Sequence, residues 1–62
     1  MRRLWVIEMV VGAKDGEPVW EPTVGCGVTR DQARQEIIRW QEDNPADRFR
    51  VKEYLPYDIE QP

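Results

Sequence analysis

The stretch Val28-Thr29-Arg30-Asp31-Gln32-Ala33-Arg34-Gln35-Glu36-Ile37-Ile38-Arg39-Trp40-Gln41-Glu42-Asp43 decides the fold. It reads as the one helix of the chain, with everything else as sheet laid against it. Thr29 suits the N-cap, because its hydroxyl accepts from an otherwise orphaned first-turn amide. Gln32, three residues on, completes a capping box, and Val28 and Ala33 have the spacing of a hydrophobic staple. Asp31 complements the positive end of the helix dipole. Asn44-Pro45 stops the run, since the residue before a proline is driven out of helical conformation. Ala33, Ile37 and Trp40 follow i, i+4, i+7 spacing and form a single apolar stripe, with Ile38 at its edge. A helix of about four turns is marginal alone, so the stripe must pack on a partner layer.

That layer is legible on both sides of the helix. Leu4-Trp5-Val6-Ile7-Glu8-Met9-Val10-Val11 is rich in β-branched and aromatic residues and reads as a strand from Arg3 to Val11. Its two faces are Trp5, Ile7, Met9, Val11 and Leu4, Val6, Glu8, Val10. A strand this apolar on both faces belongs at the centre of a sheet. Gly12 to Glu17 reads as a turn, tightest at Asp15-Gly16. A hairpin leads into a second strand, Val19 to Val24, where Pro18 and Pro22 lack ladder donors and mark a sheet edge. Val24-Gly25-Cys26-Gly27 reads as a loop. After the helix, Phe49-Arg50-Val51-Lys52-Glu53-Tyr54-Leu55 alternates as a third strand, ended by Pro56.

The fold class expected is therefore α+β, with β-β-α-β order. Three antiparallel strands form a sheet in the order 2-1-3, and the helix packs on one face. Residues 1–55 form a single domain, and 56–62 form an acidic, flexible tail. The expected core is Trp5, Ile7, Met9, Val28, Ala33, Ile37, Trp40, Phe49, Val51 and Leu55. The other sheet face shows Leu4, Val6, Val10, Arg50, Lys52 and Tyr54.

Composition removes several kinds of chemistry. The 62 residues contain one cysteine and no histidine, so neither an intrachain disulfide nor the usual zinc pattern is available. A lone cysteine fits a reducing, cytoplasmic compartment. Cys26 is expected as a small buried loop residue. No imidazole exists to activate it, so the expectation is no catalytic residue, no metal and no cofactor. The carboxylates are scattered and read as solvated surface. Glycines ahead of a helix N-terminus can hold an anion, but Gly25-Cys26-Gly27-Val28-Thr29 lacks the lysine of a phosphate-binding loop and the spacing of a dinucleotide site. Met1-Arg2-Arg3 before Leu4-Trp5-Val6-Ile7 superficially resembles a signal peptide. Glu8 breaks that run and no cleavage motif follows, so no leader is expected. No apolar run approaches membrane-spanning length.

What remains is surface. Arg48, Arg50, Lys52 and Tyr54, with Arg2 and Arg3, form the one basic-aromatic constellation, the kind of sheet face that binds single strands in some modules. A net charge of −3 argues against nucleic acid. Leu4, Val6 and Val10 are too apolar for water and point to a protein-binding face. With three tryptophans in the chain, Trp20 is left over from the core as a partner anchor or a cover for the sheet end. The expected partner-binding residues are thus Leu4, Val6, Val10, Trp20, Arg50, Lys52 and Tyr54. The function expected is a non-enzymatic protein-binding module. The alternatives are a homodimer paired through the same face, and a weak nucleic-acid binder through Arg48, Arg50 and Lys52.

The succession Leu4-Trp5-Val6-Ile7-Glu8, Trp20-Glu21-Pro22, Thr29-Arg30-Asp31-Gln32-Ala33, Asn44-Pro45 and Phe49-Arg50-Val51-Lys52-Glu53-Tyr54 resembles a group of short proteins encoded by bacteriophages and prophages. The resemblance covers about residues 4 to 54. It carries no activity and no catalytic residue with it. It implies a phage accessory protein acting in a bacterial cytoplasm and docking on a host or phage protein. The Gly25-Cys26-Gly27 loop and the tail fall outside the shared pattern.

Overall fold

The helix, α1, spans Arg30–Asp43 in the computed structural model, which describes residues 3–55. Its N-cap is Thr29, as the sequence predicts. The Gln32 amide donates to Thr29 Oγ1 at 3.2 Å, and Gln32 Oε1 accepts from the Val28 amide at 3.1 Å. The reciprocal bond thus reaches one residue further back than the usual capping box. At the other end, Asn44 leaves the helix with φ −134° and ψ 68°. Both its backbone amide (3.0 Å) and its side-chain Nδ2 (3.1 Å) donate to the Trp40 carbonyl.

Three antiparallel strands, β1 (Leu4–Lys14), β2 (Glu17–Gly27) and β3 (Phe49–Tyr54), form one sheet in the order β2-β1-β3. This is the α+β, β-β-α-β fold. The hairpin is longer than the sequence suggests. Asp15 and Gly16 both take positive φ, 53° and 80°, which matches the twist of a two-residue hairpin turn. The ladder therefore runs up to the turn, pairing Gly12 with Val19 and Lys14 with Glu17. Both prolines lie on β2, an edge strand, as their missing donors require.

The predicted loop at Val24–Gly27 is instead the end of β2. Its small residues are there for packing. A Cβ on Gly25 would lie 2.4 Å from Trp40 Nε1 and 3.0 Å from Ile7 Cδ1. One on Gly27 would lie 2.8 Å from the Ala33 amide nitrogen. The two glycines let the helix sit directly on the strand backbone. Two irregularities bend the β1–β2 ladder: Thr23, Val24 and Gly25 all lie opposite Ile7, and Val11 is an extra residue between Val10 and Gly12. The Thr23 hydroxyl donates to the Ile7 carbonyl at 2.9 Å and accepts from the Gly25 amide at 3.0 Å. These bonds restore pairing that the bulge removes, and Val24 is turned out, 91% exposed.

The core between helix and sheet is thin. Ile7 and Ala33 are fully buried, while Trp5, Met9, Ile37, Trp40, Phe49, Val51 and Leu55 are half-buried around them. Trp40 and Phe49 meet with ring centroids 6.0 Å apart. Val28 does not join them. At 68% exposed it is outside the core and makes no staple, because the cap turns it away while Gly27 takes the place against the helix. Cys26 is exposed rather than buried, since β2 carries it on the edge of the sheet and on the face away from the helix. The predicted tail 56–62, and Arg2, lie outside the described residues.

Candidate functional site

On the face away from the helix, the β1–β3 register sets Leu4 opposite Tyr54, Val6 opposite Lys52 and Glu8 opposite Arg50. Across the other ladder, Val6 faces Cys26, Glu8 faces Pro22 and Val10 faces Trp20. Six of the predicted contact residues share a face because they alternate on β1 and β3. Trp20 joins them from β2.

Glu8 is the centre of this face and the residue that sequence reasoning passed over. It is only 4% exposed. Arg50 holds it with two contacts, Nε at 2.8 Å and Nη2 at 2.7 Å from Oε1, and the Tyr54 hydroxyl donates a short hydrogen bond to Oε2. Tyr54 starts opposite Leu4, so its ring reaches back along the strand to meet Glu8 above the Val6–Lys52 pair. That accounts for Val6 being 8% exposed although no helix lies over it. Burial works to raise the Glu8 carboxyl, but the Tyr54 and Arg50 hydrogen bonds and the charges of Arg50 and Lys52 more than offset it. The group is held below its ordinary value of 4.5.

Arg50 is shared with a second partner. Its guanidinium lies 4.3 Å from the Trp20 ring centroid, and that of Arg48 lies 5.9 Å from it. Trp20 is half-buried, so it is a platform under two cations. Lys52 Nζ lies 5.9 Å from the Tyr54 ring. One face of Trp20, which a nucleic-acid reading would use for base stacking, is thus taken by Arg50, and Arg50 itself is paired with Glu8.

Leu4, Val10, Trp20 and Tyr54 are half-buried here, and Arg50 and Lys52 are exposed. A shallow groove lined by Leu4, Val6, Pro22, Val24, Cys26 and Tyr54 borders the network. Among the described residues no helix or strand covers this face. No helix among the described residues is long and apolar enough to cross a membrane. On the opposite side, Arg3 Nη1 lies 3.1 Å from Glu53 Oε2 as an ion pair without hydrogen-bond alignment. The chain matches no protein-family model, no curated protein and no solved structure.

Proposed function

We propose that this chain is a non-enzymatic protein-binding module that docks through the helix-free face of its sheet. One observation carries the reading: half-buried Leu4, Val10 and Trp20 surround a Glu8–Arg50–Tyr54 hydrogen-bonded network whose carboxylate is buried. Apolar surface around a polar centre that is already satisfied suits a protein partner, which needs a preorganised patch that costs little to desolvate further. The resemblance to short phage and prophage proteins adds the proposal that the partner is a host or phage protein in the bacterial cytoplasm.

The test begins with sedimentation at two concentrations about tenfold apart, which separates a self-associating chain from a monomer. A tagged full chain is then compared with a Leu4→Lys, Val10→Lys variant for capture of bacterial proteins. Val6 is left alone because it is buried. A monomer that retains a partner, and loses it in the folded variant, supports the reading. A folded variant that keeps every partner overturns it, as does a stable homodimer whose interface is this face.

A further inference from the structure

The two edges of the sheet are unlike. β2 is guarded by Pro18, Pro22 and the Thr23–Gly25 bulge, devices that discourage pairing with another chain. β3 has no proline and no register shift along its pairing with β1. The Val10 amide donates to the Arg48 carbonyl at 3.0 Å, which makes Val10 and Arg48 a hydrogen-bonded pair. By alternation Arg50 and Lys52 also direct their backbone groups inward, and Phe49, Val51 and Glu53 direct theirs outward. Among the described residues no strand pairs with that outer edge.

Charge says what fits it. Arg48 and Lys52 stand at the two ends of this edge on the helix-free face. The Arg48 guanidinium lies 5.9 Å from the Trp20 ring centroid and the Lys52 charge acts on Glu8, but among the described residues neither forms a close ion pair with a carboxylate. A second copy added antiparallel about Val51 would set Arg50 against the partner's Lys52. Sliding the register brings Arg50 against the partner's Arg50, or Lys52 against the partner's Lys52, so each alignment opposes like charges. A guest strand with carboxylates at those positions would instead face cations. Its intervening residues would lie beside Phe49 and Val51, which are half-buried and apolar.

We infer that the outer edge of β3 accepts an extended peptide of alternating acidic and apolar residues, added antiparallel as a fourth strand. The inference rests on the protein-binding reading but not on the apolar face as the point of contact.

The test is titration of the isotopically labelled full chain with a short peptide alternating valine and glutamate, followed by amide shifts and exchange. The expected result is protection of the Phe49, Val51 and Glu53 amides. Affinity should fall about tenfold when glutamine replaces glutamate, and fall steeply with salt. Methylating the valine amides of the peptide should abolish binding, since those groups face β3, without any change to the protein. Arg48→Glu with Lys52→Glu should reverse the preference toward a valine–lysine peptide. Absence of binding, equal binding of the methylated peptide, or shifts confined to Leu4, Val10 and Trp20 would overturn the edge inference. In each of those cases the capture experiment still decides whether the face binds a partner. Tyr57-Asp58-Ile59-Glu60 has the same acidic–apolar alternation. Self-association of the full chain that Asp58→Lys with Glu60→Lys removes would overturn the assignment to a separate partner.

Discussion

β1 separates two surfaces built on opposite principles. Toward the helix it presents Trp5, Ile7 and Met9, held by close approach of apolar groups. Away from the helix it presents Leu4, Val6, Glu8 and Val10, and the fixed point there is a carboxylate with a guanidinium and a phenol on it. The first surface requires a helix to cover it, and the two glycines of β2 let that helix come close. The second completes itself with side chains from β2 and β3. The difference teaches that so small a chain does not rest on its core alone. Dispersion and apolar burial are concentrated at Ile7 and Ala33, and register between β1 and β3 is fixed from the other side by a directional bond pair.

The largest expected effect comes from removing the packing side. Ile7→Ala deletes the one large side chain that is fully buried among the described residues. Substitutions of this kind cost about 2–5 kcal/mol. A chain of this length has a total of roughly 3–9 kcal/mol. The variant should therefore lose at least about a fifth of its stability, read as a lowered urea midpoint, and at the upper end of the range be largely unfolded. A loss of under about 0.5 kcal/mol in unfolding free energy would show that the helix side is not the principal source of stability.

Next comes the polar side. Glu8→Gln keeps the shape but leaves Arg50 without its charge partner in a partly buried setting, for a loss of about 2–3 kcal/mol. Its pH dependence is distinctive. The folded carboxyl lies below its ordinary value of 4.5, so its contribution is fully present above that value and is lost as pH falls through the folded value. The stability gap between wild type and Glu8→Gln should be constant near neutrality and shrink progressively below about pH 4.5. A gap that is flat into strong acid would mean that Glu8 acts by shape alone.

These two sides were unequally legible in the sequence. The helix, its cap and stop, the strand order and the apolar stripe all follow from local chemistry: Thr29, Pro45, the prolines of β2 and the alternation of β3. Six residues of the candidate face were also placeable, because alternation on β1 and β3 alone assigns them to one side, while Trp20 was singled out only as a tryptophan left over from the core. The Glu8 network was not, because it depends on which residue of β3 stands opposite which residue of β1. That register is set across α1 and its connections, a separation at which no local signal acts. Cys26 and Val28 were misplaced for a related reason. Glycines beside Cys26 suggested a loop, and the spacing of Val28 to Ala33 suggested a staple, when the glycines' role is to admit Trp40 and the first turn of the helix to the backbone of β2.

The smallest effect tests the joint between the two surfaces. Thr23 stands in the bulge opposite Ile7, and its hydroxyl serves one backbone acceptor and one backbone donor. Thr23→Val preserves the branched shape and removes both bonds, so the loss should be about 1–2 kcal/mol. Amide exchange at Gly25 should rise more than exchange at Ile37, because the change loosens the bulge before it reaches the helix. If the two surfaces are independent, Thr23→Val and Glu8→Gln will add within about 0.5 kcal/mol. If the bulge positions β1 for both, the double variant will be more stable than the sum predicts, since the first substitution has already relaxed the strand that the second disturbs. Additivity would mean that β1 merely divides two separately stabilised faces, and non-additivity that it couples them.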